Sequence, residues 1–357
     1  MSKKARIVFH LDMDHFYTAV EQREHQQYSG KPVIVGADPK GGEGRGVVST
    51  SNYEARTTGV RSGMPISRAW RLCPEAIYLT PNFPLYIRVS NAIMDIIRLH
   101  ADKFEQWGID EAFLEVTNSV ENYLEAEELA KLIKHEIIAK ERLTCSIGIG
   151  PNKLIAKIAS DFQKPDGLTT VKPENVEEFL APLPVRQLLW VGRKTEAKLK
   201  PIGINTIGDL ARYDPNVLTE MFGALGAQMY LMARGIDNSE VEQRTETKSI
   251  SRETTFEEDE TDFQSVLKAL DKLSDAVIEE VVERNFFFKT VTVKVRYENF
   301  ETHTRGKTLQ FMTNRPQDLK KTGKELLRPY LRSGRKVRLI GLRVSTLFSG
   351  EKQKTLF

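Results

Sequence analysis

The stretch Phe9-His10-Leu11-Asp12-Met13-Asp14-His15-Phe16-Tyr17 decides how this chain is read. It begins inside an apolar run, Ile7 to Leu11, that predicts a buried strand and ends on a carboxylate. Asp14 is placed to cap a following helix that carries Phe16, Tyr17 and Val20. A lone acid at a strand end is ordinarily a turn or cap residue. With Asp14 available for that task, Asp12 is left for another. Its carboxylate would emerge at a sheet edge, and the backbone N–H groups of His15 and Phe16 in the first helical turn would face the same space, where they can hold phosphate oxygens.

A second acidic segment stands about a hundred residues on, Trp107-Gly108-Ile109-Asp110-Glu111-Ala112-Phe113-Leu114. Adjacent acids usually sit in a solvated turn. Here aromatic and aliphatic neighbours surround them, and strands are predicted on both sides, Lys103 to Trp107 and Ala112 to Val116. Partly buried carboxylates repel one another unless a cation lies between them. Asp12, Asp110 and Glu111 therefore outline a site for divalent cations, and hard cations such as Mg²⁺ take carboxylate oxygens. Two such ions roughly 3.5–4 Å apart stabilise both the attacking and the leaving oxygen of an in-line phosphoryl displacement.

Asn52-Tyr53-Glu54-Ala55-Arg56 adds phosphate chemistry. Ser51 to Glu54 fits a capping box, and Tyr53 and Arg56, three apart, share a helix face. Arg56 offers a planar fork and the Tyr53 hydroxyl one more donor. Lys164, before Pro165, supplies a point charge for a triphosphate. The glycine-rich Gly41 to Gly46 is a connector, because no Gly-Lys-Ser/Thr follows it.

At 357 residues with 40% apolar composition, the chain is long enough for two to four domains of ~100–200 residues. No apolar run approaches the ~18 residues of a membrane span, and the N-terminus lacks a secretory pattern. Cys73 and Cys145 form neither a disulfide framework nor a zinc cluster, which fits reduced thiols in the cytoplasm. The net charge of +3 is unevenly spread. Lys294, Arg296, Arg338 and other basic residues crowd the end of the chain, the asymmetry expected of a domain that meets a polyanion.

Strands and helices alternate in the first part. Asn82 to His100 and Glu125 to Lys140 read as helices and Leu143 to Ile149 as a strand, with Pro151 opening the next helix. Pro165-Asp166-Gly167 marks a boundary. Beyond it the chain is mostly helical to about Gly235. There Leu188 to Leu210 resembles a helix-hairpin-helix, a motif that grips DNA phosphates. Ile236 to Lys248 is an aperiodic linker. The last domain reads strand, helix, two strands, helix, strand. In it Thr290 to Tyr297 alternates strictly, with Val291, Val293, Val295 and Tyr297 on one face and Thr290, Thr292, Lys294 and Arg296 on the other. A register change near Gly341 predicts a bulge. The tail Gln353-Lys354-Thr355-Leu356-Phe357 ends on an apolar pair able to anchor in a partner's pocket.

Over essentially its whole length the chain resembles the Y-family DNA polymerases, the translesion enzymes, and most closely their DNA polymerase IV branch. The resemblance is carried by FHLDMDHFY, SNYEARTTGVRSGMP (51–65), GIDEAFLEV (108–116) and IGIGPNKLIAKIASDFQKPDG (147–167), in that order. It implies an α+β multidomain right-hand polymerase. The palm would comprise 1–23 and 82–166, small fingers 24–81, a helical thumb 167–235, a linker 236–248, an α/β little finger 249–347 and a tail 348–357. It implies that Asp12, Asp110 and Glu111, with the Met13 carbonyl, hold two Mg²⁺. It places His15, Phe16, Thr50, Tyr53, Arg56 and Lys164 on the triphosphate and Tyr17 against a ribose 2′-OH. Lys294, Arg296 and Arg338 would meet DNA, and Gln353, Leu356 and Phe357 a sliding clamp. Expected partners are primer-template DNA and a deoxynucleoside triphosphate, for a monomer away from membranes that works at low fidelity without proofreading.

Three residues depart from the family pattern. Gly108 stands where many relatives have Ser, His15 where close relatives have Tyr, and Trp190 where the thumb hairpin has glycine. A palm-fold nucleotidyl cyclase and a non-catalytic DNA-binding scaffold are the rival readings. A cyclase needs neither primer nor basic C-terminal domain, and a scaffold has no use for all three carboxylates.

Overall fold

The computed structural model describes residues 4–243, 246–331 and 334–350. They form two compact units that divide near residue 244, with Glu43–Gly46 grouped with the second.

In the first unit, β1 (Val8–Met13) leads into α1 (Phe16–Glu24). A small three-stranded sheet follows, from β2 (Val33–Gly36), β3 (Val48–Ser51) and β4 (Ile77–Leu79), with α2 (Tyr53–Thr57) and α3 (Ile66–Leu72) packed on it around Ile34, Val48, Ala55 and Ile66. Next come α4 (Phe83–Arg98), β5 (Lys103–Gln106), β6 (Glu111–Glu115), α5 (Tyr123–Glu141), β7 (Cys145–Gly150), α6 (Lys153–Phe162) and β8 (Leu168–Thr170). Their strands make one sheet in the order β5-β6-β1-β7-β8. β1 is its centre, antiparallel to β6 and β7.

Alternation along β1 sorts its side chains between the two faces. Phe9, Leu11 and Met13 join the core built with α4 and α5, and Val8 joins Phe113 and Ala156 of α6. His10 and Asp12 share the α6 face, and α6 lies close because Gly148 has no side chain. A Cβ there would stand 2.0 Å from the Ala156 carbonyl oxygen.

Four helices of this unit are capped by an asparagine side chain, since Asn52, Asn82, Asn122 and Asn152 each accept backbone N–H groups of the turn they open. Two expected caps are thereby corrected. Asn52, not Ser51, caps α2, and Asn152, not Pro151, opens α6. Strand β8 pairs in parallel with β7 and carries the sheet past Gly167.

Helices α7 (Val176–Leu180), α8 (Arg193–Leu199), α9 (Ile207–Arg212), α10 (Pro215–Phe222) and α11 (Ala224–Ala233) pack with Leu154, Ile155 and Ile158 of α6 around a core that includes Leu180, Leu199, Ile207 and Leu218. The aperiodic stretch after them is pinned to this unit. Arg6 donates to the Ser239 carbonyl, Leu154 N–H to Asp237 and Glu242 N–H to Glu105, and Val241 is buried.

The second unit has β9 (Ser249–Glu260), α12 (Phe263–Glu283), β10 (Phe286–Tyr297), β11 (Thr302–Thr313), α13 (Pro316–Leu331) and β12 (Val337–Ser349), the predicted order. The strands form an antiparallel sheet, β11-β10-β12-β9. Val291, Val293, Val295 and Tyr297 are buried against the helices, as the alternation predicts. The bulge is not at Gly341, where pairing is regular. It is at Arg338, skipped between Val337 and Leu339 in the pairing with β10, while in the pairing with β9 the surplus residues lie on β9, between Thr255 and Glu260. Gly341 instead lies between Lys294 and Glu253, its two cross-strand partners, and its missing side chain leaves room for their ion pair.

Candidate active site

Antiparallel pairing sets Asp12 directly opposite Glu111, and Met13 N–H donates to the Asp110 carbonyl at 2.9 Å. Two acidic segments far apart in sequence thus meet at the end of the central strand. Gly108 keeps the turn before them close, since a Cβ there would stand 3.3 Å from Glu111 Cγ. Beside them is a cavity of about 290 Å³, lined by Asp12, Met13, His15, Phe16, Tyr17, Thr50, Tyr53, Arg56, Asp110 and Lys164, together with Ser49 and Ser62. Every residue expected around a triphosphate lines this one space. Ser49 and Ser62 were not foreseen.

The polar groups here are strongly coupled. Lys164 Nζ lies 2.7 Å from Asp12 and 2.7 Å from Asp161. Lys157 Nζ lies 2.6 Å from Glu111 Oε2, and His10 Nε2 is 3.2 Å from the same oxygen. Burial raises the Asp12 carboxyl against the opposing pull of Lys164. Burial, then the charges of Asp12 and Glu111, push Asp110 up to about 6. Burial would raise Glu111 too, but His10 and Lys157 outweigh it and hold that carboxyl at about 2. Burial lowers buried His10, so its ring is neutral near pH 7.

Tyr53 Oη is buried with no hydrogen-bond partner among the described residues. Arg56 lies over its ring at 4.7 Å and donates to the Ser51 carbonyl. An orphaned hydroxyl is costly unless a ligand completes it. Tyr17 stacks on Tyr86 at 4.5 Å, which fixes its ring at the cavity wall.

Asp14 does not cap α1. The N-cap is His15, in left-handed backbone at φ 38, with no side-chain cap. The buried Asp14 carboxylate instead accepts from the Thr144 and Ser146 hydroxyls and from Asp166 N–H. It ties the end of β1 to the segment that carries Lys164. His10 and Lys157 escaped sequence reading, although both left a trace. His10 shares a strand face with Asp12, and Lys153, Lys157 and Asp161 recur every fourth residue along an otherwise apolar α6.

Whether these acids suit divalent cations is a question of donor chemistry. Among the described residues no three Asp, Glu, His or Cys side chains converge as they stand on one point. Ammonium groups occupy Asp12 and Glu111. The donors are nonetheless hard oxygens, and the charges of its two acidic neighbours help raise Asp110, which marks a local excess of negative charge. The set fits a hard cation that displaces the two lysines.

In the second unit Lys294 pairs with Glu253, Arg296 donates to the Thr302 hydroxyl, and Arg338 lies over Phe300, 3.8 Å from Asp259. The predicted DNA face is thus partly self-neutralised. Gln353, Leu356 and Phe357 lie outside the described residues. Cys73 and Cys145 are both buried and unpaired.

Comparison with known proteins gives three family matches. The impB/mucB/samB family matches residues 11–161, its C-terminal domain residues 247–356, and the thumb domain of DNA polymerase iota residues 187–237. DNA polymerase IV 2 of Methanosarcina mazei is 47% identical over 99% of this chain and 96% of its own length. DNA polymerase IV of Methanoculleus marisnigri is 49% identical over 98% and 97%. A solved Y-family DNA polymerase chimera superposes with a TM-score of 0.89 at 34% identity, covering 96% of this chain and all of that one.

Proposed function

Since the chain belongs to the Y-family of DNA polymerases, and is a DNA-directed DNA polymerase of the translesion, DNA polymerase IV type, we propose that it adds a deoxynucleotide to a primer 3′-OH by two-metal-ion chemistry at Asp12, Asp110 and Glu111, at low fidelity and without proofreading. The observation that carries this reading is the convergence of Asp12, Met13, Thr50, Tyr53, Arg56, Asp110 and Lys164 on one cavity, beside a carboxyl pushed up to about 6.

Asp12, Asp110, Glu111 and the Met13 carbonyl would hold the cations, which when bound neutralise the triphosphate and lower the pKa of the attacking hydroxyl. The rest falls to the protein's own groups. Tyr53 Oη donates to a phosphate oxygen and gains the partner it lacks. Arg56 and Lys164 add charge-assisted bonds. The N–H groups of His15 and Phe16 face the same phosphates from the start of α1. Tyr17, held by Tyr86, stands against the sugar and excludes a 2′-OH. Phosphoryl transfer needs little beyond such positioning and charge stabilisation.

Lys294, Arg296 and Arg338 are proposed to follow the DNA backbone, and Gln353, Leu356 and Phe357 to engage a sliding clamp, with the enzyme a cytoplasmic monomer. Among the described residues no helix is long and apolar enough to cross a membrane. Primer extension with one deoxynucleotide at a time tests the chemistry. Asp110→Asn and Glu111→Gln should each abolish extension and leave DNA binding within about twofold, and robust extension by either refutes the assignment. Excision of a mismatched primer end by the wild-type enzyme would overturn the absence of proofreading.

A further inference from the structure

Behind Glu111, on the far side of Lys157, lies a second cavity of about 330 Å³ within the first unit. Its walls include Trp107, from the turn before Asp110, and Trp190, from the hairpin before α8. Both indoles are partly in water, 37% and 64% exposed, and large exposed aromatics at the rim of a cleft mark binding surfaces. Trp190 is also a backbone outlier, with φ 69. A non-glycine residue in left-handed backbone carries strain that persists where the surroundings over-determine it. Glycine would take that conformation without cost, so the indole itself needs a use.

The charge of the lining narrows the occupant. Two lysines of the lining are already paired: Lys157 with Glu111 at 2.6 Å, and the buried Lys153, 5.1 Å from the Trp107 ring centroid, with Glu105 at 2.6 Å. Asp237 is the carboxylate in the lining, and it is turned to the backbone N–H groups of Leu154 and Ser239. Arg193 and Lys194 follow the hairpin at the start of α8. Two indoles with the exposed Arg193 and Lys194 next to the hairpin suit a planar base joined to a phosphodiester, because base–aromatic stacking is sequence-tolerant and open cations hold the backbone.

We propose that Trp107 and Trp190 form a stacking slot for an unpaired nucleobase of the primer strand close to its 3′ end, as produced by a frayed or mismatched terminus. A base paired inside the duplex has no free faces to offer the slot. The assignment to the primer end rests on the proposed function, in which the attacking 3′-OH is activated at the acidic site that includes Glu111, one lysine away from the cavity.

The test uses the full chain, primer-templates with 2-aminopurine at each of the last few primer positions, and paired or mismatched termini. The wild type should quench the probe at a mismatched terminus. Trp190→Gly, which suits the backbone there, and Trp107→Leu should restore fluorescence and weaken binding of the mismatched duplex about fivefold or more. Binding of the matched duplex should stay within about twofold, and the salt slope should not move because no phosphate contact is lost. Trp190→Phe should retain most of the quenching. Equal fluorescence in wild type and variants at every position overturns the slot. So does a uniform loss for matched and mismatched ends, and so does a raised KM for free deoxynucleotide with unaltered DNA binding, which would assign the cavity to a free nucleotide. Extension by Glu111→Gln in the same assay reports separately on where the terminus lies. Normal extension there would remove the premise.

Discussion

Lys164 Nζ lies 2.7 Å from Oδ1 of Asp12, the carboxylate proposed to meet a cation. The same ammonium reaches Asp161 at 2.7 Å. Burial would lower its pKa, yet Asp12 and then Asp161 overcome burial and raise it, so the side chain stays charged at any working pH. A cation arriving at Asp12 competes with Lys164, and a triphosphate offers the displaced ammonium new oxygens. Lys164→Met should therefore raise the KM for deoxynucleotide about tenfold or more, the loss of a charge-assisted bond. It should not raise the Mg²⁺ concentration needed for half activity. Titrations of both ligands decide this, and an unchanged KM removes Lys164 from the triphosphate.

Asp110 gives a pH-dependent stability. Its folded pKa of about 6 lies above the ordinary value of 3.8. Between those values the folded state holds a proton that the unfolded chain has released, so stability falls as pH rises through the window, and the cost is complete above pH 6. Metal-free Asp110→Asn should thus melt higher than the parent at pH 7.5, with the gap closing as the pH approaches 4. Mg²⁺ should raise the melting temperature of the parent more than that of the variant. Thermal scans with and without Mg²⁺ measure both. A variant no more stable than the parent at pH 7.5 would show that the three acids do not strain one another.

Asp14 is predicted to be a structural hub. Asp14→Ala leaves the Thr144 and Ser146 hydroxyls and Asp166 N–H facing a buried void. Stranded donors of that kind cost about 2–4 kcal/mol together. Urea unfolding should show the loss, and the KM for deoxynucleotide should rise too, because Asp166 N–H helps place Lys164. A change below about 0.5 kcal/mol would mean that water replaces the carboxylate.

Much of this site is local and was legible. A strand that ends on Asp12, and two strands around Asp110 and Glu111, follow from apolar runs and turns alone. So does the little α/β domain, whose β10 alternates strictly from Thr290 to Tyr297. Asp14 was misread because capping is a local rule, whereas its partners Thr144, Ser146 and Asp166 lie more than 120 residues away in sequence. Lys157 was missed for the same reason, since only the packing of α6 on Gly148 brings it to Glu111. The bulge at Arg338 was placed three residues late because Gly341 signals close approach of neighbours as readily as a kink.

Tyr17 should govern sugar choice. Its ring is stacked on Tyr86 at an interplanar angle of 12° and set edge-on to Phe83, so it cannot swing away without breaking two aromatic contacts. Tyr17→Ala should raise ribonucleotide incorporation relative to deoxynucleotide by about tenfold or more, expressed as a ratio of kcat/KM values. Single-nucleotide kinetics with matched sugar pairs measure this. An unchanged ratio would put the sugar elsewhere in the cavity.

The basic face of the second unit yields a prediction in salt. Lys294 is already paired with Glu253 across Gly341, and Arg296 is held by Thr302. Each phosphate contact they make must therefore replace an internal one, so affinity gains little while counterion release remains. Lys294→Ala with Arg296→Ala should flatten the slope of log K against log salt by roughly 1–2. The drop in affinity at high salt should be small. Glu253→Gln should do the reverse at low salt, tightening DNA binding by freeing Lys294 from its partner, with no change in slope. An anisotropy titration over a range of salt concentrations separates these outcomes. A double alanine variant with the parent's slope would show that DNA does not follow this face of the sheet.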